Sequence, residues 1–107
     1  MSASKVSGQI VDRQSKTGVV GALVIVLKPN VTTAEFIEKQ QRDMALSSVR
    51  SGGGGEFELP DPLPAGQTYS LIVVARRYVD KVMEGAVRIG ADAQPETRLT
   101  PIRLDRE

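Results

Sequence analysis

Two runs constrain the fold more than anything else in the chain: residues 21–28 (GALVIVLK) and residues 68–76 (TYSLIVVAR). Each is a short block of β-branched and other apolar residues, too brief to span a membrane and lacking the three-to-four spacing of an amphipathic helix. Such runs, apolar on both faces, read as strands in the interior of a sheet. Pro29 and Asn30 stop the first. In the second, Tyr69, Leu71, Val73 and Ala75 share one face and Ser70, Ile72 and Val74 the other.

Weaker strand signals surround these two. Residues 5–12 (KVSGQIVD) alternate through Val6, Gly8 and Ile10, and residues 45–50 (ALSSVR) pair as a short strand. In residues 56–59 the alternation points Phe57 and Leu59 inward and Glu56 and Glu58 to solvent. PDPLPAGQ is a proline-fixed turn with Gly66 at a positive φ. Residues 82–89 offer Met83, Ala86, Val87 and Ile89 for burial. Residues 97–104 place Leu99, Ile102 and Leu104 around Pro101, which fits an edge strand or a bulge.

Only one segment changes period. In VTTAEFIEKQQRDM, Thr32 and Glu35 form a capping-box pattern, and Val31 and Phe36 stand at the spacing of a hydrophobic staple. Glu35 with Lys39 and Glu38 with Arg42 add two favourable i,i+4 pairs. The pattern predicts a helix over 33–44, with Phe36, Ile37, Gln40 and Met44 facing the body. Its apolar stripe is thin, which places it on an edge of the domain.

At 107 residues the chain is one domain, 1–107, with 40% hydrophobic and 25% charged residues, the composition of a folded globular chain. The formal net charge of +1 is spread along the sequence, so no nucleic-acid footprint stands out. No stretch has the length of a membrane span, and MSASKVSGQIVD lacks the apolar centre of a signal peptide. The expected compartment is therefore cytoplasmic for a complete chain and extracytoplasmic for a domain excised from a secreted protein. With no histidine and no cysteine, every mechanism built on Ser-His, Cys-His or His-ligated zinc is excluded. Acid–base chemistry would fall to Asp, Glu, Lys or Tyr.

The remaining constellations carry little chemistry. SGGGGEFELP has the glycines of a phosphate loop, but Glu56 and a strand follow where a P-loop needs lysine, a hydroxyl and a helix. A hairpin connection with a loose tip is the expectation. Glu56, Glu58, Asp61, Asp80 and Asp92 match no calcium loop, and Glu56 with Glu58 has the spacing of a solvated strand face. Lys5, Lys16, Lys28 and Lys39 read as solvated lysines, since Asn30 lies too early in the chain for an isopeptide partner. Arg76, Arg77, Tyr78 and Lys81 form a basic and aromatic cluster suited to a polyanion or an acidic peptide, set against the commoner reading of a solvated strand end.

Three pieces of the chain resemble the carboxypeptidase regulatory-like domains in that family's order. They are VSGQIVDRQSKTGVVGALVIV at 6–26, GEFELPDPLPAGQTYSLIVVARRY at 55–78, and LTPIRL at 99–104. The helical insertion, with LPDPL and YSLIV, further resembles a bacterial subgroup appended to larger proteins such as trypsin-like peptidases. Arg77 stands where the family commonly has glycine before the tyrosine, a departure that bears on the local turn. The resemblance implies an all-β fold, a seven-stranded antiparallel β-sandwich of transthyretin-like Greek-key topology. It also implies a non-catalytic accessory module without cofactor or metal. The hydroxyisourate hydrolase relatives of transthyretin work through histidines, which this chain lacks.

The expected function is thus protein–protein or interdomain contact. The partner-binding candidates are Phe36, Ile37 and Met44 on the helix and Arg76, Arg77 and Tyr78 at the strand end, or an exposed sheet edge by strand addition. A carbohydrate- or peptide-binding module is the alternative, weakened by the scarcity of aromatic platforms. A cryptic metal- or carboxylate-dependent enzyme comes third.

Overall fold

The computed structural model describes residues 3–39, 42–92 and 95–107. Its elements run β1 (Ala3–Asp12), β2 (Leu23–Leu27), α1 (Thr33–Lys39), β3 (Ala45–Arg50), β4 (Glu56–Glu58), β5 (Leu63–Pro64), β6 (Gln67–Val74), β7 (Lys81–Ile89), β8 (Glu96–Arg98) and β9 (Ile102–Leu104). A 3-10 turn at Arg42–Met44 precedes β3. One sheet has the order β3-β2-β6-β7, antiparallel throughout. The other is built on β1, which pairs antiparallel with β4 and β5 and parallel with β8 and β9.

The expected β-sandwich holds, with finer division of its strands. The proline turn contains β5, and the closing segment splits in two. Pro101 has no N–H to donate and lies between β8 and β9. Leu99 bridges the break by donating its N–H to Ser7 O at 2.8 Å. Both pieces run parallel to β1, so the all-antiparallel expectation is corrected for this sheet.

The core lies between the two sheets. Val24, Val26, Tyr69, Leu71, Val73 and Val87 face Val6, Ile10, Phe57, Leu59, Ile102 and Leu104, all buried. Tyr69 keeps its hydroxyl satisfied by donating to Pro64 O at 2.8 Å, which pins the turn before β6 as tyrosine corners do in other sandwiches. Among the described residues, no helix is long and apolar enough to cross a membrane.

The glycine run departs from expectation. Instead of closing a hairpin, it carries the chain from β3 in one sheet to β4 in the other. Ile10 N–H donates to Gly55 O at 2.7 Å, and Gln9 Nε2 donates to Gly54 O at 2.8 Å, so the corner is tied to β1. Gly55 has φ +80°, and a Cβ there would collide with Ile10 O and approach Gly18 Cα at 2.9 Å. Gly18 in turn has Gly54 O where its own Cβ would be. Two backbones meet at van der Waals contact, which only glycines permit. Ser51 completes the corner, its buried hydroxyl donating to Val19 O and accepting from Ala22 N–H.

The helix starts as its capping box predicts. Glu35 N–H donates to Thr32 Oγ1 at 3.1 Å, and Thr32 N–H reaches back to Glu35 Oε1 at 3.4 Å. Among the described residues α1 covers Thr33–Lys39, and Arg42–Met44 form a 3-10 turn where the pattern predicts the last turn of the α-helix. Gln40 lies outside the described residues. Lys28 N–H donates to Met44 O at 2.9 Å, closing the insertion at its base and returning the chain to β3. Thr33, which the sequence pattern does not single out, is the buried helical residue, and its N–H donates to Glu84 Oε2 of β7 at 3.0 Å.

Candidate functional site

The outer face of the β3-β2-β6-β7 sheet is apolar and only partly covered. Cross-strand register sets Ile25, Ile72 and Val82 in one row, with Leu23 beside Val74 in the next. Helix α1 packs over β6 and β7. Ile72 is buried, whereas Val82 is 43% exposed and Val74 38% exposed. Toward the β3 edge a groove of about 490 Å³ remains, with Leu23, Ile25, Phe36 and Leu46 as its apolar lining and Ser47 and Ser48 along the strand.

The predicted helical site is therefore divided. Phe36 is half-buried and forms a wall of the groove. Ile37 is 52% exposed, which corrects its expected inward orientation. One residue further along a helix is a rotation of about 100°, and Thr33 with Phe36, three apart, already define the inner side. Met44 is half-buried at the base of the insertion. The structure thus brings Phe36 into the groove and leaves Ile37 and Met44 outside its lining.

Strand β3 borders this groove as a sheet edge. Its neighbour β2 lies on one side and no strand follows on the other among the described residues. Ser51 N–H donates to Ala22 O. Antiparallel alternation then directs the N–H groups of Val49 and Ser47 toward β2 and those of Ser48 and Arg50 away from the sheet, down to the bulge at Leu46. Ser47 Oγ is buried without a hydrogen-bond partner among the described residues.

The basic cluster is divided as well. Asp12 is buried at the end of β1, where Oδ1 accepts the N–H groups of Gln14 and Ser15 at 2.8 and 3.0 Å. Its Oδ2 accepts the Tyr78 hydroxyl at 2.8 Å and Arg106 Nε at 2.5 Å. The Arg106 guanidinium, the Ser15 N–H and the Tyr78 hydroxyl hold this carboxyl well below the usual carboxylate range. Asp12 in turn pushes the Tyr78 phenol up. A carboxylate with four donors and so low a pKa is a poor base. It joins β1, the segment before β7 and the C-terminal residues instead.

Arg76 and Arg77 are exposed nearby, and Arg77 lines a second depression with Tyr78 and Arg106. Arg77 has φ +71°, a left-handed conformation that a glycine would adopt freely. Val79 N–H donates to Asp105 O, and Glu107 N–H to Arg77 O, so the chain end is stitched to this turn. Lys81 leaves the cluster altogether and lines a different depression with Arg13 and Arg103. Sequence reading missed Arg106 beside Tyr78, and Arg13 and Arg103 beside Lys81, because only the fold brings them together.

Among the described residues, no group of three His, Cys, Asp or Glu side chains is gathered as a metal site requires. Phe57 and Tyr69 are buried, as their alternation predicts.

No family model and no curated protein matches the chain. Solved structures do match its fold. A 3-chlorocatechol 1,2-dioxygenase from Rhodococcus opacus 1CP superposes with TM-score 0.61 and 15% identity, over 99% of this chain and 61% of that one. A type II cohesin–X–dockerin complex from Acetivibrio cellulolyticus gives 0.55 and 21%, over 94% and 56%. The 5-hydroxyisourate hydrolase of Klebsiella pneumoniae gives 0.55 and 16%, over 97% and 91%. The chain spans less than two thirds of the dioxygenase and cohesin-complex chains. At these identities the likeness is one of fold, and that fold is the transthyretin-like, prealbumin-like β-sandwich.

Proposed function

We propose that this domain is a non-catalytic protein-interaction module of the carboxypeptidase regulatory-like kind, whose partner adds an extended strand to the β3 edge. The observation that carries this reading is the conjunction of an open edge with an apolar groove. Outward N–H groups along β3 offer main-chain hydrogen bonds, and the groove lined by Leu23, Ile25, Phe36 and Leu46 receives every second side chain of the added strand. A β-sandwich neighbour from a cohesin–X–dockerin complex is consistent with such a role.

Selection from a displayed library of heptapeptides tests it. The reading expects binders with alternating apolar residues, amide shifts along residues 45–50, and loss of binding in Ser48→Pro and Leu46→Lys. Binders that map elsewhere, or that bind Ser48→Pro as well as the parent chain, would refute it.

A further inference from the structure

We propose that the seam between β7 and β9, on a different edge of the sandwich from β3, is a binding site for an acidic peptide segment. Arg13, Lys81 and Arg103 line a depression of about 390 Å³ there, with the half-buried Met83 and the exposed Pro101 as its accessible apolar surface and Thr100 and the buried Ile102 completing the wall. The cations come from residues far apart in sequence: the turn after β1, the start of β7, and β9.

The charges at this seam are unevenly matched. Arg13 Nε is paired with Asp105 Oδ1 at 2.6 Å. Neither Lys81 nor Arg103 has a carboxylate partner among the described residues. Three cations against one carboxylate leave two positive charges in a chain whose formal net charge is +1, so the remainder sums to −1. These two positive charges lie together where the outermost strands of the two sheets meet, β7 in one and β9 in the other. Cations grouped over a concave surface raise the local concentration of an anionic partner.

The lining selects among anions. No aromatic side chain borders the depression, so nucleobases find no stacking platform. Met83 and Pro101 present apolar surface that a lone phosphate or sulfate would leave uncovered. A peptide of alternating acidic and apolar residues meets both requirements, its carboxylates on Lys81 and Arg103 and its apolar side chains against Met83 and Pro101.

Titration of the intact chain with acetyl-EVEVEV-amide, followed by amide chemical shifts, tests the proposal. The expected result is shifts at residues 81–83 and 102–103, with affinity falling steeply as salt rises from 50 to about 300 mM. Lys81→Glu with Arg103→Glu should weaken binding at least tenfold with the circular dichroism spectrum unchanged. Asp105→Asn, which releases Arg13 while keeping the main-chain carbonyl that Val79 uses, should strengthen it about threefold, a gain that a merely misfolded variant would not give. Equal affinity for acetyl-QVQVQV-amide, shifts confined to β3, or tighter binding of inorganic phosphate or of an oligothymidine at the same amides would each overturn it.

Discussion

The β3-β2-β6-β7 sheet has two edges, and they are finished differently. Strand β7 carries Lys81, Glu84 and Arg88 along its length, a positive-φ glycine at Gly85, and an irregular register opposite Tyr69 and Leu71. Charges, glycine kinks and bulges are the devices by which natural sheets discourage added strands. Strand β3 has neither charge nor glycine before Arg50, whose Nη1 is turned back to Gly21 O at 3.2 Å, and its bulge lies at the start of the strand, where Leu46 is passed over between Ala45 and Ser47. The same sheet thus protects one edge and leaves the other open. That contrast is a functional signal, because an open edge is an aggregation liability unless something covers it.

The edges are also anchored differently, and this can be broken in order of effect. Strand β3 runs into the glycine corner. Gly55→Ala should cost roughly 2–5 kcal/mol, from left-handed backbone strain and overpacking against Ile10 O and Gly18. Gly53→Ala, with nothing within 4 Å of its added Cβ, should be near neutral. Urea denaturation of the pair checks this, and a Gly55→Ala loss below about 1 kcal/mol would show that the corner relaxes.

Strand β7 is entered through the Asp12 clasp. Because the folded carboxyl is held below its unfolded value near about 3.9, its stabilisation is complete above that value and is lost as pH falls through the acid range. Asp12→Asn should therefore lower the urea midpoint clearly at pH 7 and by a smaller amount at pH 2.5, where part of the stabilisation has been lost. A difference between parent and variant that stays constant over this range would assign the clasp to packing and not to charge.

The turn between clasp and β7 holds Arg77 at φ +71°. Arg77→Gly should relieve strain and raise stability by roughly 0.5–1 kcal/mol, after the glycine's extra unfolded-state entropy is subtracted. Thermal melts compare the two, and destabilisation would mean that the arginine side chain contributes more than its backbone costs.

How much of this was legible follows from how local each determinant is. Strands β2 and β6 were plain in their β-branched runs, and the start of α1 in Thr32 and Glu35, because adjacent residues decide those features. The burial of Thr33 was not, since Glu84, some fifty positions away, holds its N–H against β7. The glycines of residues 52–55 looked like a hairpin tip because the backbone that Gly55 must approach belongs to Gly18 and Ile10. The basic cluster was half legible. Arg76, Arg77 and Tyr78 are neighbours in sequence, but Asp12 and Arg106 decide what Tyr78 does, and Arg13 with Arg103 decide what Lys81 does.

The smallest effect on stability bears most directly on the contrast between the edges. Ser48→Pro removes an N–H that faces away from β2, so it spares the ladder between β2 and β3 and should change stability by under about 1 kcal/mol. Val49→Pro, one residue on, removes an N–H that the ladder uses and should cost clearly more. If β3 is an open edge, Ser48→Pro alone should also abolish strand addition and slow aggregation at high protein concentration, while leaving the melting temperature almost unmoved. Measured together, light scattering and calorimetry separate the two consequences. A Ser48→Pro variant that aggregates like the parent would mean that β3 is already covered and that the groove beside Phe36 recognises something other than a strand.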